Sequence, residues 1–185
     1  VLFASPAFIL IFASLSSAED KLIPFSGKPH TIPGLIEAEH WDKGPAGVAY
    51  LDNTEANQGE NYREETQVDI EKRPDASNGH GIGWTREGEW LIYTVEVTEA
   101  GKYKIAMPVA SPKLGGLFRL EFNGKDVTGQ IRLIESGDWK KLVMLTNEGV
   151  QLEKGTFQMK VVMIENGETG SIGDIDYFKF VKVDG

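Results

Sequence analysis

The chain has 185 residues, a net charge of −9 and no cysteine. This length is enough for one domain with a substantial core, and the lack of cysteine excludes disulfides and a lipid-modified cysteine. The acidic charge argues against nucleic acid and anionic membranes as partners, and it is compatible with a neutral ligand or a cation.

The chain begins with an apolar stretch that carries no charge before Glu19 and ends in small residues. This pattern is typical of a secretory signal peptide cleaved after Ala18. A membrane anchor is the alternative, since the run approaches the roughly 20 residues that span a bilayer, but Pro6 and the serines near its end favour cleavage. We therefore predict a signal peptide over residues 1–18 and a secreted, extracellular protein. Export without disulfides fits a bacterial source.

Residues 19–33 are rich in proline and glycine and are predicted to form a linker. From residue 34 to 185, apolar and polar residues alternate in short segments, which is typical of half-buried β-strands. Turn signals such as Asn123-Gly124 and Asn166-Gly167 separate these segments, and no stretch keeps the helical period. The sequence predicts an all-β domain over residues 34–185, a β-sandwich or jelly roll of two antiparallel sheets. The clearest alternating segments are GLIEAEHW, WLIYTVEV, YKIAMPV, LFRLEF and FQMKVVMI.

Two pairs of carboxylates stand near the ends of the predicted domain. Glu37 and Glu39 share one face of the first strand of the predicted domain, and Asp174 and Asp176 lie in GDIDYFKF near the last strand. Glu37 and Glu39 could be a solvated face, calcium ligands or the two carboxylates of a glycosidase. If the first and last strands pair, all four carboxylates crowd together, and like charges at close range require a cation or a proton. This favours calcium.

The tryptophans give the strongest indication of function. Trp84 follows a glycine-rich loop and Trp139 follows a turn in SGDWKKL, so both are predicted at strand starts on one edge of the sandwich. Two polar loops, residues 52–67 and 71–81, lead toward Trp84, and long loops are often functional. Any single tryptophan could instead belong to the core. Together, aromatic rings near amides and carboxylates suit sugars, whose ring faces are apolar and whose rims carry hydroxyls.

Several motifs, taken in order, resemble family 6 carbohydrate-binding modules from Ile32 to Val183. They are IEAEHWD, GENYREETQVDIE, GIGWTREGEWLIYTVEVTEAGKYKI, SGDWKKL and GDIDYFKF. The resemblance is nearest to modules attached to agarases and β-1,3-glucanases. It implies a non-catalytic β-sandwich appended to a polysaccharide-degrading enzyme.

The resemblance also implies roles for individual residues. Trp84 and Trp139 match the aromatic pair that clamps a sugar ring at the sandwich edge, and Trp90 matches the platform of a second cleft on the concave face. Asp174 stands where the family usually has an amide, and Glu60 is the candidate for a loop carboxylate that contacts hydroxyls. A structural calcium ion would be held by Glu37, Glu39, Asp176 and a backbone carbonyl near Arg63.

The preferred prediction is a non-catalytic, monomeric module that recognises a neutral polysaccharide. The ligand would be a β-glucan such as laminarin or an agarose-type galactan, and the module would target an associated glycoside hydrolase. The alternatives are a catalytic jelly-roll glycosidase or lyase that uses Glu37 and Glu39, and a cell-surface adhesion module.

Overall fold

A computed structural model describes residues 21–60, 62–63 and 65–183. In these residues the chain forms strands and turns but no helix, and so none that could cross a membrane. The strands, in chain order, are β1 (His30–Ile32), β2 (Gly34–Glu37), β3 (Tyr50–Leu51), β4 (Ile70–Lys72), β5 (His80–Ile82), β6 (Trp90–Val97), β7 (Gly101–Ala110), β8 (Leu117–Phe122), β9 (Lys125–Asp126), β10 (Ile131–Arg132), β11 (Val143–Leu152), β12 (Gly155–Glu165), β13 (Asp174–Ile175) and β14 (Tyr177–Val183).

The strands form two sheets. The first has the order β1-β6-β12-β8-β10, with β3 also paired to β6 and β9 to β8. The second has the order β2-β14-β7-β13-β5-β4, with β11 also paired to β7. The pairs are antiparallel except for β1 on β6. The predicted all-β sandwich is confirmed.

The core lies between the sheets and follows the alternation in the sequence. The inward residues of β6 are Leu91, Tyr93, Val95 and Val97, all at most 3% exposed. Burying an apolar side chain of this size contributes about 1.5–3 kcal/mol. The Tyr93 hydroxyl, buried among them, donates a hydrogen bond of 2.6 Å to the Ala38 carbonyl. The core therefore has the facing residues that period-two alternation predicts.

The segment predicted to be a linker is packed into the domain where the structure describes it. The Phe25 ring stacks on His40 at 3.9 Å between centroids. Strand β1 pairs in parallel with the end of β6, and Ile32 is completely buried. The linker prediction is therefore wrong for residues 21–33. The predicted signal peptide, residues 1–18, lies outside the described residues.

Strands β2 and β14 lie side by side and bring the two ends of the domain together. They pair antiparallel, with Tyr177 opposite Glu37 and Phe180 opposite Gly34. The pairing of the first and last strands of the domain, the condition for the four carboxylates to crowd together, is therefore present. Strand β13, just before β14, pairs with both β7 and β5. This places Asp174 next to the loop that leaves β5 and carries Trp84.

Candidate functional site

A cleft of about 290 Å³ opens at one edge of the sandwich, where loops between strands meet. We call it the edge cleft. Its walls come from β4, from the β5–β6, β10–β11 and β12–β13 loops, and from the start of β13. The lining residues are Glu71, Trp84, Arg86, Trp139, residues 169–171 and Asp174. The structure therefore brings together three predicted binding residues, Trp84, Trp139 and Asp174.

Trp84 presents its ring to solvent at the edge cleft. Its side chain is 40% exposed, and its backbone has a φ of 51°, in the left-handed region. The neighbouring residues are held on both sides. Gly83 N–H donates to the Asp69 carbonyl at 3.1 Å, and the Thr85 hydroxyl donates to the Gly173 carbonyl at 2.7 Å. Trp84 follows β5 and is not at a strand start, so that part of the prediction is wrong.

Trp139 lies half-buried in the turn between β10 and β11, again outside a strand. Its backbone carbonyl accepts a hydrogen bond of 2.7 Å from Nη2 of Arg73. The Ser136 hydroxyl donates to the carbonyl of Asp138 at 2.7 Å, which closes the preceding turn. The backbone that carries the Trp139 ring is thus fixed by polar contacts that do not involve the ring.

Arg73 lies beneath the edge cleft and joins its carboxylates. Its side chain is only 1% exposed. Nη1 donates to Oε2 of Glu71 at 2.8 Å and to Oδ2 of Asp174 at 2.7 Å, and Nη2 donates to Asp75 at 3.1 Å. Burial together with the charge of Glu71 raises the pKa of Asp174, while Arg73 opposes that rise. Asp174 thus occupies the predicted position as a buried carboxyl group.

The position of Gly83, just before Trp84, explains why the motif has a glycine there. A β-carbon at this position would lie 3.1 Å from Oδ1 of Asp174 and 3.7 Å from the β-carbon of Glu71. A side chain at this position would press on the Asp174 carboxylate, so glycine lets the loop pass close to Asp174 without displacing it.

Glu60 does not line the edge cleft. It is exposed and lies in a separate polar depression with residues of the 52–67 loop, including Glu55, Asn57 and Glu65. Its backbone N–H donates to Ile70 at 2.8 Å. The partly exposed carboxylate in the edge cleft is instead Glu71 of β4, so the geometry corrects the sequence-based choice.

Trp90 lies apart from the edge cleft, at the start of β6 on the outer face of the first sheet. It is half-buried, and the ammonium group of Lys160 lies 4.0 Å from the centre of its ring. Cation–π contacts of this kind are favourable by about 0.5–1 kcal/mol at exposed sites. The predicted second platform thus has a cation over its ring.

The predicted calcium ligands approach one another around residues 77 and 78. The Ser77 hydroxyl donates to Oε2 of Glu37 at 2.6 Å and to Oδ1 of Asp176 at 3.2 Å. Asn78 donates to Oε1 of Glu39. Oε2 of Glu39 is buried and has no hydrogen-bond partner among the described residues. Burial, with further contributions from Glu37 and Asp176, raises the pKa of Glu39 to about 7.

Carboxylate oxygens are the hard ligands that Ca²⁺ prefers, and one oxygen of Glu39 is buried without a partner. Ser77 and Asn78 hold the three carboxylates in place by hydrogen bonds. Across the described ranges, no three acidic or histidine side chains surround one point closely enough for a metal. Arg63 reaches the same region through its guanidinium, which donates to the carbonyls of Glu39 at 3.4 Å and Trp41 at 2.6 Å. The Arg63 carbonyl accepts from Thr66 at 3.0 Å.

The same carboxylates do not form the catalytic pair that the enzyme alternative requires. Glu39 is completely buried, Glu37 is bonded to Ser77, and neither lines the edge cleft. Glycosidase carboxylates must flank a bound sugar. The arrangement therefore does not favour catalysis by Glu37 and Glu39.

Sequence reasoning missed Arg86, Glu71 and residues 169–171 as cleft residues. Arg86 follows Trp84 by two positions, so its place in the same loop was a usable signal. Glu71 could not be predicted as a cleft residue, because it lies in strand β4 and reaches the cleft through contacts with Arg73, which also bonds to β13. Residues 169–171 join the cleft only because β12 and β13 belong to different sheets.

Two known proteins with sequences similar to part of this chain are a clotting factor subunit and an agarase. The chain is 28% identical over 106 residues to the clotting factor G alpha subunit of Tachypleus tridentatus, which covers 56% of this chain and 16% of that protein. It is 33% identical over 70 residues to the β-agarase AgaA of Microbulbifer thermotolerans, which covers 37% of this chain and 16% of the agarase. The chain thus spans a small part of the length of either relative.

Solved structures and a family model agree on the architecture. A β-1,3-glucan binding CBM6 from Bacillus halodurans has a TM-score of 0.62 with this chain at 21% identity, covering 84% of this chain and 100% of that one. At this identity the likeness concerns the fold. The family model described as "Carbohydrate binding module (family 6)" matches residues 58–182, well over half of the chain. The protein therefore belongs to family 6 of the carbohydrate-binding modules.

Proposed function

We propose that the protein binds a polysaccharide in the edge cleft, with one sugar ring held between Trp84 and Trp139. The observation that carries this proposal is the presence of both rings in one open cleft, beside carboxylates that accept hydrogen bonds. Aromatic rings contact the apolar faces of a sugar, while polar groups such as Glu71 and Asp174 bind its hydroxyls.

We propose a β-1,3-glucan such as laminarin, or an agarose-type galactan, as the polysaccharide backbone. Two comparisons support this choice: the similar Bacillus halodurans module is β-1,3-glucan binding, and one relative is a β-agarase. The module would act without catalysis and hold an associated glycoside hydrolase against its substrate, outside the cell and as a monomer. The agarase, of which the similar region is 16%, supports attachment to a larger enzyme.

The test is calorimetric titration of laminarin and agarose oligosaccharides into the protein. We expect a Kd on the order of 10–1,000 μM, because an open cleft buries little ligand area. Trp139→Ala should abolish detectable binding, since a lost hot spot of about 2 kcal/mol weakens Kd about thirtyfold. Trp90→Ala is the matched control and should leave the edge cleft intact. Unchanged binding by Trp139→Ala would refute the proposed cleft.

We further propose that Glu37, Glu39 and Asp176 hold a structural Ca²⁺. The buried, unpartnered oxygen of Glu39 supports the proposal, because a cation would satisfy it and would screen the three negative charges from one another. The ion would connect β2 to the segment before β14. It would stabilise the folded protein by mass action, since only the folded chain brings these carboxylates together.

Chelation should therefore lower the melting temperature of the protein, and Glu39→Gln should remove that shift. The substitution keeps the size of the side chain and removes its charge. Glu60→Gln serves as the control, because Glu60 is exposed and lies in a different depression. A melting temperature that EDTA leaves unchanged would refute the calcium site.

A further inference from the structure

The charged groups around the edge cleft differ in whether they already have partners. Glu71 and Asp174 both accept hydrogen bonds from Arg73, at 2.8 and 2.7 Å. Arg86 also lines the cleft and is exposed, yet its guanidinium forms no ion pair with any residue in the described ranges. The charge that the cleft leaves open to a ligand is therefore positive, on a protein whose net charge is −9.

The backbone of Arg86 is fixed. Its N–H donates to Oε2 of Glu89 at 2.8 Å, and Glu89 is itself buried. One residue earlier, the Thr85 hydroxyl donates to the Gly173 carbonyl at 2.7 Å, and the Thr85 carbonyl accepts from Ile172 at 2.7 Å. The loop thus holds the start of the Arg86 side chain in a defined place, two residues from the Trp84 ring.

The buried carboxylate of Asp69 interacts electrostatically with Arg86, and it already accepts hydrogen bonds from another residue. Burial raises the pKa of Asp69, and the positive charge of Arg86 acts in the opposite direction. Oδ1 of Asp69 accepts from the backbone of Gln58 at 2.5 Å, and Oδ2 accepts from its side chain at 3.4 Å. Asp69 and Arg86 do not form an ion pair, so the guanidinium donors face solvent or a ligand.

We propose that the edge cleft prefers a polysaccharide whose sugars carry an anionic substituent, a carboxylate or a sulfate ester, which pairs with Arg86. The proposal rests on the proposed function, because Trp84 and Trp139 must hold the sugar ring. A guanidinium presents a planar set of donors that binds such oxyanions in a bidentate manner. Glu71, the partly exposed carboxylate of the cleft, would repel the anionic group and accept from hydroxyls, so the ring enters in one orientation.

The overall charge limits how acidic the polymer is. A protein of net charge −9 repels a densely charged polyanion over distances of about a Debye length, ~10 Å at moderate salt. Arg86 offers one positive site at the cleft. The preferred ligand therefore carries sparse anionic groups on an otherwise neutral backbone.

The experiment compares ligands that differ in a single group. Laminarihexaose is prepared in neutral form, with one sulfate ester and with one carbon-6 carboxylate, and neoagarohexaose is prepared in the same three forms. Each is titrated against the parent protein, Arg86→Gln and Lys125→Gln. Lys125 is exposed on β9 and does not line the cleft, so its variant removes the same charge elsewhere.

We expect at least one anionic form to bind the parent about tenfold more tightly than its neutral counterpart. Arg86→Gln should remove that gain, so that its neutral and anionic ligands bind about equally, whereas Lys125→Gln should keep the gain. Raising salt from about 0.05 to 0.5 M should reduce it. A gain for only the sulfate or only the carboxylate identifies which substituent is recognised.

Two results would overturn the inference and leave the proposed function standing. In the first, neutral oligosaccharides bind and the anionic forms bind no more tightly. In the second, Arg86→Gln weakens neutral and anionic forms equally, which would make Arg86 a donor to hydroxyls. If no oligosaccharide of any form binds the parent protein, the proposed function fails together with the inference.

Discussion

Trp84 combines an exposed ring with an unfavourable backbone conformation. For a bulky residue a φ of 51° costs about 1–2 kcal/mol. Strain of this kind persists where the surroundings determine the backbone, and it is concentrated at ligand sites. Here the bonds of Gly83 and Thr85 supply that restraint. The direction of the Trp84 ring is therefore set by the loop and not by core packing.

Trp84→Ala and Trp84→Gly separate binding from strain. Both remove the ring, so both should weaken oligosaccharide binding about thirtyfold. Glycine adopts positive φ readily, so Trp84→Gly should be more stable than Trp84→Ala by about 1 kcal/mol. Urea unfolding and calorimetric titration of the two variants check this. Equal stability would mean that the loop relaxes to another φ when the ring is lost.

At the scale of elements, Arg73 is the contact that holds the floor of the edge cleft together. It follows β4, and it bonds to Asp174 of β13 and to the carbonyl of Trp139 in the β10–β11 turn. Three segments distant in sequence thus meet at one buried guanidinium. Arg73 therefore links the fold to the position of two cleft residues, Trp139 and Asp174.

Arg73→Met should destabilise the protein by about 3–5 kcal/mol, because it leaves the buried carboxyl group of Asp174 without its cation. Arg119→Met is the matched control. Arg119 pairs with Glu121 on β8, and its side chain is 31% exposed, so its loss should cost less than about 1 kcal/mol. Denaturant unfolding measures both variants. Similar losses in the two would show that the buried network contributes no more than a surface ion pair.

The segment before β2 gives a second prediction at this scale. A chain that begins at Gly34 loses β1, the stacked Phe25 ring and the fully buried Ile32. Burial of Ile32 alone is worth about 1.5–3 kcal/mol. We therefore expect a clearly lower melting temperature than for a chain beginning at Glu19. Equal melting temperatures would restore the interpretation of residues 21–33 as a linker.

Sequence reasoning succeeded where the signal is local. Alternation predicted the half-buried strands that carry the buried residues Tyr93, Ile105 and Phe118, because period two is a property of the strand itself. The linker was misassigned because proline and glycine are also local signals, while burial of Ile32 depends on β6, which lies more than fifty residues later.

The site shows the same division. Trp84 and Trp139 could be predicted because loop-adjacent tryptophans are unusual in a core. The choice of Glu60 as a carboxylate of the cleft failed for a different reason. The carboxylate that enters the cleft is determined by the order of the strands in the sheet and by the contact with Arg73. No pattern in the sequence around Glu71 indicates the strand order or the contact with Arg73.

At the scale of the whole molecule, Glu89 makes stability depend on pH. It is 6% exposed, and its carboxylate accepts from the backbones of Asn53 at 3.3 Å and Arg86 at 2.8 Å. Burial raises the pKa of Glu89 to about 7, and the charges of Asp52 and Asp69 add to the rise. A carboxyl whose pKa is raised by folding stabilises below its ordinary value and loses that contribution as pH rises.

Glu89→Gln should therefore flatten the fall in stability between about pH 4.5 and 7. The free energy of unfolding of the parent, relative to the variant, should decrease over this window by on the order of 1–2 kcal/mol after allowance for solvent screening. Denaturant unfolding at several pH values measures the difference. His40, whose pKa burial lowers to about 4, is common to both proteins and cancels. A constant difference would contradict the assignment.

The pairing along β7 has a mechanical consequence. Asp174 at the cleft lies opposite Ala110, and Val183 lies opposite Lys102, so β13 and β14 follow β7 for a length on the order of 27 Å. When a sugar anchors the cleft and tension is applied at Val183, the force runs lengthwise along β14. The hydrogen bonds to β7 and β2 are then loaded in shear, all together, and none can open ahead of the others. Such a strand resists pulling far better than one peeled from its end.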